Sequence, residues 1–367
     1  MIRNFKRTAA IFGVAAIGST ALVACSDSDS DDTEAAATSI EGLTGTTGQL
    51  VAEGSSAQQN AMDYFNVMYQ QAVSGASLAY TASGSGSGRT NFIGSQVDFG
   101  GSDSALADEQ VEPAAERCGG NEAWHLPLVI GPVAVAYNLE GVDELNLSTG
   151  TVARIFNGEI TKWNDDAIAA ENEGVELPDL DISVVYRSDE SGTTDNFQRF
   201  LKASSPDIWE TVGQQFPAAV GEGANGSNGV ATQTTAITGG ITYVEAGFAD
   251  QQGLGVANID FGSGPVELND ESVDIALENL EFLTEGHNMV MDTDSMFAMN
   301  EEGAYPLALA TYEIVCSAGY DEETSNMVKD FLTVALNSQD EGLAELGYVP
   351  VTGAHHDRLV AAVEAIQ

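Results

Sequence analysis

From Gln49 to the C-terminus, short apolar runs alternate with stretches of helical periodicity, and this alternation restricts the chain to layered α/β architecture. Gln49–Ala52, Ser77–Ala82, Gln96–Gly100, Ile182–Arg187, Gly240–Val244 and Pro306–Cys316 read as strands. Ala57–Val73, with Ala61, Phe65 and Met68 in helical register, reads as a helix, as do Thr149–Asn157, Ser191–Ala203, Gly226–Ile237 and Glu322–Leu336. A longer apolar run, Leu126–Asn138, is expected to be broken at Gly131-Pro132. No internal repeat is visible, and 367 residues suit two lobes of ordinary domain size better than one small core.

Four clusters of small polar residues each follow an expected strand and open an expected helix or turn. They are Gly54-Ser55-Ser56, Gly84-Ser85-Gly86-Ser87-Gly88, Ser102-Asp103, and Arg187-Ser188-Asp189-Glu190-Ser191-Gly192-Thr193-Thr194. In open α/β sheets, ligands bind beyond the carboxyl ends of strands. Small residues there let backbone N–H groups approach an anion, and the helix start behind them adds partial positive charge. Taken singly, each cluster is an ordinary turn or N-cap. Four in one chain, one of them carrying Arg187, point jointly to an oxyanion site.

The charge balance narrows the partners. Twelve Lys+Arg stand against 56 Asp+Glu, a net charge of −44, which disfavours nucleic acid and anionic lipid surfaces. That acidity is a solubility device of the surface, so an anion must be held by a local pocket that overrides the global field. Catalytic signatures are missing from the sequence. There is no Walker A pattern, and the 83–88 loop has neither the Gly-x-Gly-x-x-Gly nor the Gly-x-Ser-x-Gly spacing. His125, His287, His355 and His356 form no metal-spaced set, and His355-His356 reads as a surface turn near the C-terminal helix. A phosphatase would need a metal cluster or a nucleophile with its base, and none of the clusters has one. The chain is therefore expected to bind rather than catalyse, without cofactor or metal.

At the N-terminus, Arg3, Lys6 and Arg7 precede an apolar stretch from Ala9 to Ala24, too short and too rich in Gly and Ala for a membrane span. Its end, Leu22-Val23-Ala24-Cys25, resembles the lipobox of bacterial lipoproteins, which makes residues 1–24 a signal peptide and Cys25 the lipid-bearing first mature residue. Residues 25–48 read as a flexible acidic linker. Its Asp27-Ser28-Asp29-Ser30-Asp31 run fails as a calcium loop, because Asp32 stands where Gly is needed and Thr38 where Glu is needed. With Cys25 assigned to lipid, Cys118 and Cys316 remain, an even pair in an exported chain that reads either as a disulfide or as two separately buried thiols.

At these clusters the chain resembles the phosphate-binding proteins of ABC-type phosphate uptake systems, the PstS family. The likeness runs from about Gln49 to the end. It is most specific in Val97-Asp98-Phe99-Gly100-Gly101-Ser102-Asp103, in the segment from Ile155 through Trp163 to Asp165, and in Val185-Tyr186-Arg187-Ser188-Asp189-Glu190-Ser191-Gly192-Thr193. It implies two α/β lobes of the periplasmic-binding-protein type, joined by hinge strands, with phosphate in the cleft between them. Lobe I is expected to hold residues 49–135 and 301–367, and lobe II residues 136–300. By the same resemblance Ser56, the Ala57 backbone N–H, Ser85, Ser191, Gly192 and Thr193 donate to phosphate, Arg187 is the cation, Asp189 orients it, and Asp103 accepts the phosphate proton. Glu190 stands where the family usually has a small residue, and is expected to point outward.

Phosphate near neutral pH still carries a proton to give a carboxylate, whereas sulfate has none, so Asp103 discriminates by repelling the wrong ligand. Binding proteins for sulfate, molybdate or tungstate are the alternative reading, and a structural or adhesive surface protein a further one. The expected partners are inorganic phosphate, the transmembrane permease subunits of an ABC transporter, and the membrane through Cys25. The protein is expected to be a monomer.

Overall fold

In the computed structural model, residues 40–217, 220–278 and 280–367 are described; the expected signal peptide, Cys25 and most of the expected linker lie outside them. The first half of the chain repeats one unit, a strand followed by a helix that packs back on it. β1 (Gly48–Gly54) leads to α1 (Gln59–Ala72), β2 (Ala76–Ala82) to α2 (Ser85–Ile93), and β3 (Phe99–Ser102) to α3 (Asp108–Arg117). β4 (Ala123–Asn138) follows, then β5 (Asn146–Ser148), α4 (Thr149–Phe156) and α5 (Asp166–Glu171). The unit returns as β6 (Ser183–Arg187) with α6 (Gly192–Ser204), β7 (Glu222–Ala224) with α7 (Gly226–Ala236), and β8 (Gly240–Glu245) with α8 (Ala246–Gln252). Short pieces follow: β9 (Gly255–Val256), β10 (Asn258–Asp260), β11 (Pro265–Val266), α9 (Asp270–Glu278) and α10 (Thr293–Phe297). The chain closes with β12 (Ala308–Cys316), α11 (Glu322–Asn337), α12 (Glu341–Ala344) and α13 (Gly353–Ala365).

The main sheet runs β2-β1-β3-β12-β4-β8-β6-β7, with β9 on β4, while β11-β10-β5 form a small separate sheet. β1 pairs in parallel with β2 and β3, and β6 in parallel with β8 and β7, as strand–helix–strand crossovers require. β12 and β4 are antiparallel insertions that join these two parallel sets.

β4 was expected to break at Gly131-Pro132, yet it runs unbroken for 16 residues. It pairs with β12 as far as Pro132 and with β8 from Val133 onward. The proline lacks an N–H, so it sits at the change of partner, where the ladder is interrupted anyway. The same strand feeds two hydrophobic cores. Leu126, Leu128 and Ile130 join Leu50, Phe65, Phe99 and Phe331 in one, and Val133, Val135 and Tyr137 join Phe156, Trp163, Phe197 and Tyr243 in the other. Trp163 is fully buried and donates its indole N–H to the Gly239 carbonyl at 3.0 Å, so the tryptophan segment is structural.

Several local expectations are corrected. The 83–88 loop is largely helix, since α2 starts at Ser85. Residues before Gln49 are packed on the fold: Ile40 and Leu43 lie against the first core, and the buried Asp330 carboxylate accepts Thr44 N–H at 2.7 Å and Gly45 N–H at 2.9 Å. Part of the expected linker is thus held by hydrogen bonds that only a distant helix supplies. His355 and His356 form no surface turn. They lie in the first turn of α13, each ring within reach of a carbonyl, Pro127 O at 3.1 Å and Leu336 O at 3.2 Å. Cys118 at the end of α3 and Cys316 at the end of β12 are joined by a disulfide across 198 residues of sequence.

His125, on β4, is buried. Its Nε2 accepts the Leu106 N–H at 3.0 Å and its Nδ1 lies 2.8 Å from Asn288 Oδ1, so the ring is neutral with its hydrogen on Nδ1. Burial pushes its pKa down to about 4, only partly offset by Asn288. The unfolded chain binds this proton near pH 6.5 and the folded one near 4, so stability is lost as pH falls through that window. A His125→Asn variant, which keeps an acceptor but does not titrate, should show it: between pH 7 and 4 the wild type should lose about 3 kcal/mol relative to the variant in denaturant unfolding. Parallel curves would refute the assignment.

Candidate functional site

The carboxyl ends of β1, β2 and β3 and those of β6 and β8 face each other from opposite directions near the middle of β4, and the helices that follow begin there. Gly54 closes β1 at φ 148°, and a Cβ on it would lie 2.0 Å from the Gly101 carbonyl, so the neighbouring strand ends approach only because residue 54 is glycine. Gly192 opens α6 in the same way, since a Cβ there would lie 2.5 Å from Ser85 Oγ and 2.6 Å from Asp103 Cβ. The starts of α2, α6 and α7 therefore converge on Asp103 and Arg187, with Ser55–Ala57 before α1 beside them. Their partial positive ends provide, locally, the potential that the acidic surface lacks.

Asp103 is 4% exposed and receives three hydroxyl donors: Ser55 at 2.7 Å and Ser85 at 3.1 Å to Oδ2, and Thr311 at 2.6 Å to Oδ1. Burial raises its pKa to about 6. The Ser55 and Thr311 bonds and Arg187 pull it down, and Glu245 pushes it up. Arg187 is equally buried and forms a two-pronged pair with Asp189, Nε to Oδ1 at 2.8 Å and Nη2 to Oδ2 at 2.5 Å. Its Nη1 donates to Thr193 Oγ1 at 3.3 Å and Ser227 Oγ at 3.2 Å. Burial works against the charge on both partners, but the pair more than offsets it, leaving Asp189 below and Arg187 above the usual range. Behind Asp103, Glu313 is fully buried and accepts from Gln58 Nε2 at 3.3 Å, and burial pushes its pKa well above the usual carboxylate range.

The structure brings every residue expected in the site into one cluster, and it shows what each donor already does. Ser56 Oγ accepts Ser227 N–H at 2.9 Å and lies 3.0 Å from Ser227 Oγ. The Ala57 N–H donates to Ser55 Oγ at 3.1 Å. Ser85 Oγ accepts Asp103 N–H at 3.0 Å while donating to its carboxylate. Ser191 is the N-cap of α6, accepting Thr194 N–H at 3.1 Å. The Thr193 hydroxyl donates to Glu245 Oε1 at 2.6 Å. Glu190 is exposed, its carbonyl accepting the Gly86 N–H at 3.0 Å.

Ser55, Ser227, Glu245, Thr311 and Glu313 were not assigned roles from the sequence. Ser55 and Ser227 follow the small-residue rule at a helix start that identified the other clusters. Thr311 and Glu313 are polar residues at alternate positions of an otherwise apolar strand, a pattern that marks a buried polar contact on one face. Among the described residues no group of His, Cys, Asp and Glu is placed to hold a metal ion, and no helix is long and apolar enough to cross a membrane.

Comparison with known proteins bears on what such a site takes. The profile of the PBP superfamily domain matches residues 39–339. Phosphate-binding protein PstS 3 of Mycobacterium tuberculosis (strain ATCC 25618 / H37Rv) is 44% identical over 378 residues, covering 99% of this chain and all of its own. PstS2 of Mycobacterium bovis (strain BCG / Pasteur 1173P2) is 41% identical over 369 residues, with 99% and 100% covered. Among solved structures, a high-affinity periplasmic phosphate-binding protein, PfluDING, superimposes with a TM-score of 0.68 at 23% identity, over 86% of this chain and 93% of its own. A phosphate-binding protein from Stenotrophomonas maltophilia gives 0.63 at 21% identity, over 86% and 94%. At those identities the likeness speaks to the fold, which is the two-lobe periplasmic-binding-protein architecture.

Proposed function

The chain belongs to the PstS family of phosphate-binding proteins within the PBP superfamily, and on that premise we propose that it captures inorganic phosphate outside the cell for the permease subunits of an ABC-type transporter. The observation that carries this reading is the buried meeting of Arg187, Asp103 and several helix starts in a chain of net charge −44. Ser56, Ala57 N–H, Ser85, Ser191, Gly192 and Thr193 are the donors, Arg187 the planar fork, and Asp189 the group that holds the fork in place. Asp103 receives the proton that phosphate retains near neutral pH. Sulfate, offering none, would place charge against charge.

As in a solute-binding family, the protein on this reading holds and releases its ligand unchanged. Residues 49–135 with 301–367 form one lobe and 136–300 the other, and they close about the crossing strands β4 and β12. Contacts across the cleft, among them Ser56 with Ser227 and Asn196 Nδ2 with the Asp103 carbonyl at 2.7 Å, would be broken on opening. The chain is exported, cleaved before Cys25 and anchored by lipid on that cysteine, with the segment after it as tether.

Calorimetric titration of the purified protein with phosphate, and separately with sulfate, tests the reading. Phosphate should bind with a Kd on the order of micromolar or tighter, about −8 kcal/mol, with no measurable sulfate binding. Binding of sulfate, molybdate or tungstate in place of phosphate would retain the fold assignment and overturn the function.

A further inference from the structure

Glu245, the last residue of β8, is 1% exposed and reaches the site from behind. Its Oε1 takes the Thr193 hydroxyl hydrogen at 2.6 Å, and its Oε2 has no hydrogen-bond partner. Thr193 Oγ1 also accepts from Arg187 Nη1 at 3.3 Å. A hydroxyl has one hydrogen and two lone pairs. While that hydrogen points at Glu245, Thr193 offers an incoming anion only a lone pair, the wrong polarity for its proposed donor role.

The charges around this contact face one way. Arg187 meets Asp189 two residues further along the chain, Glu245 from β8 and, through the field, Asp103 beyond β3. The phenols of Tyr243 and Tyr348 are the other titratable groups in electrostatic reach. One guanidinium thus serves several buried carboxylates before any ligand arrives. A phosphate anion added here raises the proton affinity of each carboxylate near it, because like charges in a poorly solvated site disfavour one another. Asp103 already accepts three hydroxyls, whereas Glu245 has a bare oxygen and a hydrogen bond whose direction a single proton reverses.

We propose that Glu245 is a proton-accepting switch: as phosphate enters, Glu245 takes one proton and becomes the donor to Thr193 Oγ1, which frees the Thr193 hydrogen for a phosphate oxygen. This rests on the phosphate reading above. The proton comes from solvent or from dihydrogen phosphate, and no bond between heavy atoms changes. Afterwards Thr193 Oγ1 accepts from Glu245 and Arg187 and donates to the ligand, so its hydrogen and both lone pairs are used. Glu245 thereby determines when Thr193 can serve as a donor, and phosphate capture is coupled to pH through a residue outside the donor set.

The test is calorimetry of phosphate binding in buffers of different ionisation enthalpy, which counts protons taken up per phosphate. The wild type should take up as much as about one proton more than Glu245→Gln, whose amide donates to Thr193 permanently, and its log affinity should fall with pH more steeply by up to about one unit per pH unit. Infrared difference spectra of the wild type, phosphate-bound minus free, should show a protonated-carboxyl band that vanishes in Glu245→Gln. Equal proton counts in wild type and Glu245→Gln would overturn the switch, as would the absence of that band from the wild type or its persistence in Glu245→Gln. If Glu245→Gln does not fold, the wild-type proton count and spectrum decide, and the absence of either proton uptake or the band overturns the switch. A wild type that binds no phosphate at all would overturn the functional reading and the switch together, whereas binding without the proton difference overturns the switch alone.

Discussion

An Arg187→Met variant should lose phosphate affinity by on the order of 1000-fold, about 4 kcal/mol. The guanidinium is 3% exposed and is held by two charge-assisted bonds to Asp189. Removing it does more than delete an attraction. Asp189, Glu245 and Asp103 remain buried around the place where the anion must sit, and the site turns from balanced to repulsive. The same substitution should lower the melting temperature, because the Asp189 side chain, 7% exposed, is left without its partner. Adding Asp189→Asn should recover much of that stability without restoring binding, which separates the cost to the fold from the cost to the ligand. Calorimetry and thermal unfolding on the two variants measure both. Phosphate binding within tenfold of wild type in Arg187→Met would show that Arg187 is a structural ion pair and would place the anion elsewhere.

The second large effect concerns selectivity. Asp103→Asn should narrow the preference of phosphate over sulfate by roughly 100- to 1000-fold, since the amide no longer places a buried negative charge against a ligand that has no proton to give. Competition titrations at fixed pH would measure the ratio, and unchanged selectivity would exclude Asp103 as the discriminating group. The ligand-free protein supplies an independent check. Because burial raises the Asp103 pKa from 3.8 to about 6, the folded state binds this proton more tightly than the unfolded chain. Its contribution to stability is therefore greatest below pH 3.8 and is lost as pH rises towards 6. The variant should lack that slope. It is opposite in sign to the contribution of His125, so each is best read as a difference against its own variant.

The strands, the helices that follow them, and the four clusters at their junctions were legible because each depends on neighbours along the chain: alternation, helical spacing, and small residues at a helix start. The misreadings arose where a distant element overruled a local cue. Gly131-Pro132 looks like a break until β12 and β8 take up the strand on either side of it. Thr44 and Gly45 look like linker until Asp330 captures them, and His355-His356 looks like a turn until carbonyls of β4 and α11 receive the rings.

The candidate site divides along the same line. Ser56, Ser85, Asp103, Arg187 and Ser191 each announce themselves by residue type and by place at a strand end. Their second partners do not. Thr311 reaches Asp103 across 208 residues, Ser227 reaches Ser56 across 171, and Glu245 reaches Thr193 across 52. Local sequence specifies backbone conformation and the chemistry available at each junction, because those energies are set within a few residues. Whether a hydroxyl donates to an anion or is already committed to a carboxylate depends on the order in which the strands pair, and that order is set by closing the two cores around β4.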